Sequence, residues 1–97
     1  MTTINLSKYG PLITRKELGE EIYSLIKHAL DGDDEVEVSM THIVSMTTFC
    51  AKQVFGRLYV ELGREEYRRR VRLVNVSEDV NFIIRIGITN AVKEAKW

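Results

Sequence analysis

Glu35-Val36-Glu37-Val38-Ser39-Met40 alternates polar and apolar residues along its whole length. A period of two puts Val36, Val38 and Met40 on one face of an extended strand, and Glu35, Glu37 and Ser39 on the other. A strand covered on both faces would read as an unbroken apolar run. This one is therefore expected to be covered on one side only. The fold that follows is a two-layer α/β arrangement with helices mainly on one face of the sheet.

Reading outward from that strand, the preceding element has a helical period. Leu18, Ile22, Leu25, Ile26, Ala29 and Leu30 form one apolar stripe. Thr14-Arg15-Lys16-Glu17 has the form of a capping box at its start, and Gly32 is placed to end it. Earlier still, Thr2–Leu6 alternates as a strand, and Tyr9-Gly10-Pro11 makes a turn. Leu12-Ile13 is expected to return as the second strand of a small hairpin.

After the deciding strand, a second helix is expected over about Thr47 to Leu62, with Ala51, Val54, Phe55, Leu58 and Leu62 on its buried face and Gly63 as its C-terminal stop. Arg70 to Val76 reads as a third main strand. Ser77 then caps a last helix, with Glu78 and Asp79 suiting the positive end of its dipole. Val80, Ile83, Ile84, Gly87, Ile88, Ala91 and Ala95 form its core stripe. Helices between strands imply crossovers, so the main strands should be parallel and the order βαβαβα.

The chain has 97 residues, the size of one small domain, and residues 1–97 are read as one. Its 44% hydrophobic and 29% charged content is ordinary for a globular domain. Cys50 is the one cysteine, so no internal disulfide can form. The start lacks a secretory signal and no apolar run has the length of a membrane span; a cytoplasmic location is expected. Net charge is zero, yet residues 1–50 sum to −4 and residues 51–97 to +4. A molecule polarised in this way can dock an oppositely charged partner or another copy of itself.

The segment Val36 to Leu62 carries a run of short motifs. A strand leads to a hydroxyl-rich loop, Ser45-Met46-Thr47-Thr48, then Phe49-Cys50-Ala51 and Phe55-Gly56-Arg57-Leu58; later come a strand ending in Val74-Asn75-Val76 and then Ser77-Glu78-Asp79-Val80. In this order they resemble the STAS-like domains of unknown function of bacteria and their mobile elements. The resemblance implies a small α/β domain used for regulated protein–protein contact. In the related anti-sigma factor antagonists a serine at the start of the helix after a central strand is phosphorylated, and the resemblance puts Thr47 and Thr48 in that neighbourhood. Two positions depart from the pattern. Ser39-Met40-Thr41 stands where an acidic strand end is common, and Phe49-Cys50 follows the hydroxyl pair where glycine is usual.

Residue sets for catalysis are sparse. His28, His42 and Cys50 have no spacing that ties them together, and Cys50 falls beside a helix core face, where a small buried thiol is expected. Asp31-Gly32-Asp33-Asp34-Glu35 begins like a calcium loop. It has Val36 where the turn glycine belongs and His42 where the bidentate glutamate belongs. No catalytic residue, metal site or cofactor is therefore expected.

Contact residues are more evident. Arg64, Arg68, Arg69, Arg70 and Arg72, with Tyr67 among them, can engage an acidic protein surface or, with Tyr67 stacking, a nucleic acid; a solvated loop and strand edge is the simpler alternative. Phe82 and Ile86 fall about 160–200° from the centre of the last helix's core stripe, on its outer face. They form a partner or dimer contact, or are covered by the Arg-rich segment or Trp97. Thr47 and Thr48 cap a helix, and a phosphate there would meet free amides. The expected role is a non-catalytic regulatory interaction module, possible as a homodimer. The alternative is a nucleic-acid-associated accessory protein using Arg64–Arg72. The partner's identity is open.

Overall fold

In a computed structural model, which describes residues 1–95, the deciding strand lies at the centre of a three-stranded parallel sheet. Strand β3 (Val36–Ser39) is flanked by β1 (Thr2–Asn5) and β5 (Val71–Val74). Ile4 aligns with Val38, and Val38 with Leu73. Ile4, Val36, Val38 and Val71 are buried on one face, while Thr3, Asn5 and Arg72 are exposed on the other. Both crossovers step the same way across the sheet, from β1 to β3 and from β3 to β5. Crossovers of one hand then put their helices on one side, as the alternation in β3 implied.

The first crossover is α1 (Lys16–Gly32). It starts one residue after the expected capping box would have it, with Arg15 at the cap and no side-chain hydrogen bond from Thr14. Gly19 lies against Gln53, whose Nε2 donates to the Lys16 carbonyl at 2.8 Å. Within the expected stripe, Ile22, Ile26 and Leu30 are buried, but Leu25 is 37% exposed, and Tyr23 is buried in addition.

The expected hairpin does not form. A 3₁₀ turn at Ser7–Tyr9 carries the chain away from β1, and β2 (Leu12–Ile13) pairs in parallel with β4 (Ser45–Met46). The Thr47 amide extends this pairing by donating to the Ile13 carbonyl at 3.0 Å. The reason is burial: the pairing sets Ile13 beside Met46, and both are withdrawn from water. Ser45-Met46, read as loop, is accordingly a short strand.

The second crossover is a continuous helical rod: α2 (Thr48–Ala51), a π-helical stretch (Lys52–Gly56) and α3 (Arg57–Leu62). Val54, Phe55 and Gly56 are consecutive and all buried, so the rod is enclosed from more than one side. Helix α5 (Glu78–Ala95) crosses it there. A Cβ on Gly87 would fall 2.6 Å from the Lys52 nitrogen, so only glycine permits this approach. Gly63, at φ +86°, ends the rod.

Arg64 to Arg70, read from the sequence as a solvated loop and strand edge, is a helix, α4. Glu65 and Glu66 lie in its first turn and Arg68, Arg69 and Arg70 in its last, matching its dipole. Tyr67 anchors it inward, with its ring 5.2 Å from that of Tyr59.

Candidate functional site

The residues singled out by sequence fall in three places. On α5, Ser77 Oγ accepts from the Val80 amide at 3.2 Å and starts the helix. Val80, Ile84 and Gly87 then face inward, which turns Phe82 to solvent with 62% exposure and leaves Ile86 half-buried. Phe82 remains open although α4 is ordered; Trp97, the other residue expected to cover it, lies outside the described residues.

The arginine cluster divides. Arg70 is turned into the structure: its Nη2 donates to the Leu30 carbonyl at 2.7 Å and to that of Asp33 at 3.2 Å, and its Nε to that of Asp34 at 2.8 Å. It satisfies carbonyls left free at the end of α1, where a cation also suits the dipole. Helix α1 ends at Gly32 with an extended Asp33 after it, φ −144°, in place of the left-handed glycine cap. Arg69 bridges Asp34 at 2.7 Å and Glu66 at 2.8 Å. Tyr67 is buried and cannot stack on a nucleic acid; its hydroxyl has no hydrogen-bond partner among the described residues, and burial, then the neighbouring Tyr59, raises its pKa. The exposed members of the cluster, without an ion-pair partner among the described residues, are thus Arg64, Arg68 and Arg72. Arg72 aligns with Glu37 of the central strand on the open face of the sheet.

The hydroxyl pair also divides. Thr47 is the cap of α2, and its Oγ1 accepts from the Cys50 amide at 3.1 Å. Thr48 is exposed in the first turn. Cys50 is fully buried and its thiol donates to the Arg15 carbonyl at 3.5 Å, a structural role. His42 is exposed with φ +66° in the turn after β3. Among the described residues no group of three or more His, Cys, Asp or Glu converges as a metal site would require.

Two polar clusters had no sequence signal, because their members lie far apart in the chain. Where β3 and β5 end, Asn75, at φ +56°, donates from Nδ2 to Ser39 Oγ at 3.2 Å, and Thr41 Oγ1 lies 2.8 Å from the same oxygen. This polar closure occupies the strand end where the resemblance looks for a carboxylate. Between α1 and α3, the Tyr23 hydroxyl donates to Glu61 and the Arg57 guanidinium stacks 3.8 Å above the Tyr23 ring. Burial first, and then the Glu61 carboxylate, pushes the Tyr23 pKa up to about 12.

A one-sided parallel sheet, a helical rod capped by a hydroxyl after the central strand, and a last helix crossing that rod define a small α/β domain of STAS-like architecture. The model of a family described as a STAS-like domain of unknown function matches residues 18–81, and the chain belongs to that family. No curated protein and no solved structure gives a significant match. Among the described residues, no helix is long and apolar enough to cross a membrane.

Proposed function

We propose that this STAS-like domain is a non-catalytic, cytoplasmic interaction module whose contact surface is centred on Phe82 and Ile86 of α5. The observation that carries this is the exposure of Phe82, 62%, on a helix whose opposite face is closely packed. A large aromatic held on a rigid helix gains apolar burial on docking at little conformational cost. The occupant is a protein partner or a second copy of the chain. Thr48, exposed beside the committed Thr47, is the member of the pair accessible to a regulatory modification.

Nucleic-acid binding would rest on Arg64, Arg68 and Arg72 alone, without an aromatic platform from Tyr67. Acidic Glu65 and Glu66 are interleaved with them, so protein contact is preferred.

The deciding experiment is Phe82→Asp, followed by circular dichroism and by sedimentation with the partner recovered from the native cells. A folded variant that loses the assembly supports the surface. A folded variant that keeps it, or one that unfolds, sinks it. Intact-mass measurement of the protein from those cells tests Thr48, and unmodified protein in every growth condition would count against regulation there.

A further inference from the structure

Among the described residues, β1 is an edge strand with β3 as its one neighbour. The Thr2 amide donates to the Glu35 carbonyl and the Leu6 amide to that of Ser39. In a parallel ladder alternate residues bond to the same neighbour, so the amides and carbonyls of Thr3 and Asn5 point away from the sheet. Edges are commonly guarded by charge, proline or a bulge. The opposite edge strand, β5, carries Arg72, whereas β1 reads Thr-Thr-Ile-Asn with no such guard.

Beside this edge runs a groove of about 560 Å³ between β1 and α1. Its helix wall holds Leu25, the one residue of the α1 stripe left exposed, together with His28 and Ala29. Lys8 stands where the groove passes the end of β1, and among the described residues it has no ion-pair partner. A strand edge without a neighbour among the described residues, a helix wall bearing Leu25 and Ala29, and a cation that rests over the Tyr9 ring at 5.1 Å with no carboxylate partner there suit an extended peptide: main-chain bonds supply affinity and side-chain contacts supply selection.

We infer that the β1–α1 groove binds an extended segment of a protein partner, added as a fourth strand beside β1. An apolar side chain of that segment rests on Leu25 and Ala29, and an acidic one meets Lys8. This surface is separate from the α5 face and does not depend on it.

The test is selection of displayed random peptides of about ten residues against the folded domain, followed by anisotropy titration of the synthetic winner. Thr3→Pro removes one outward amide and leaves the bonds to β3 in place. Leu25→Glu alters an exposed wall residue, so it reports even if Thr3→Pro misfolds. Each is expected to weaken binding by about tenfold or more. Lys8→Glu should do the same, while Phe82→Asp should leave the affinity unchanged. Failure to select any peptide, or winners that tolerate Leu25→Glu and Lys8→Glu, would overturn the inference. A dimer that is dissolved by Leu25→Glu but not by Phe82→Asp would seat a second copy in the groove and overturn it too.

Discussion

Gly56 and Gly87 face each other where α5 crosses the π-helical stretch of the rod: a Cβ on Gly56 would lie 2.8 Å from the Gly87 carbonyl oxygen and 2.7 Å from Ala91 Cβ. Neither helix can carry a larger residue there without moving. Since the outer face of α5 displays Phe82, this contact also sets the position of the proposed surface. Alanine favours a helix interior over glycine by about 1 kcal/mol, but overpacking costs about 1–3 kcal/mol. Gly87→Ala is therefore expected to destabilise the domain, read as a lower urea midpoint. An unchanged midpoint would mean that the helices separate freely.

Arg70 and Arg69 are adjacent and should behave differently. Arg70→Ala leaves the carbonyls of Leu30, Asp33 and Asp34 without their donor and is expected to cost about 1–3 kcal/mol. Arg69 makes exposed ion pairs, and Arg69→Ala should change stability by less than about 1 kcal/mol. Equal losses in chemical denaturation would contradict the division of the cluster into structural and surface members.

For the hydroxyl pair, Thr47→Ala removes the cap of α2 and should cost about 1 kcal/mol. Thr48→Ala should stay within about 0.5 kcal/mol, as for other exposed positions. Thermal melts of the two variants compare them directly. A larger loss for Thr48→Ala would assign the cap to the wrong threonine.

Tyr23 predicts an alkaline limit. Its pKa lies at about 12 in the fold against 10.0 ordinarily. Below pH 10.0 the phenol is protonated in both states and its full contribution is present. Above that the unfolded chain loses the proton first, so stability falls as pH rises from there through the folded value. Tyr23→Phe should show a shallower decline over this window in pH-dependent denaturation. Tyr9, raised by burial and then by Glu21, and Tyr67, raised by burial and then by Tyr59, act with the same sign and remain in the variant. Parallel profiles for the two proteins would show that Tyr23 is not the group responsible.

Much of the architecture was legible in local pattern. The alternation of β3 gave the one-sided sheet because side chains on a strand point to alternate faces. Ser77, Thr47 and Gly63 marked helix ends because their chemistry acts within a turn or two of chain. Phe82 could be placed outside α5 from helical period alone. Against this, Thr14 has the right spacing for a cap and does not cap; Arg15 holds that position without a side-chain hydrogen bond.

What local pattern determined, then, is the face that each strand and helix buries, because periodicity is a property of the chain itself. Tertiary structure decided which elements meet and what their polar groups find there. It paired Leu12-Ile13 with Ser45-Met46 instead of with β1, withdrew Tyr67 from the surface, and spent Arg70 on the end of α1. It also left Leu25 in the open beside β1, an edge strand among the described residues. The strand pairing and the Arg70 bonds join residues tens of positions apart, where burial and hydrogen-bond satisfaction outweigh the preferences of any short segment.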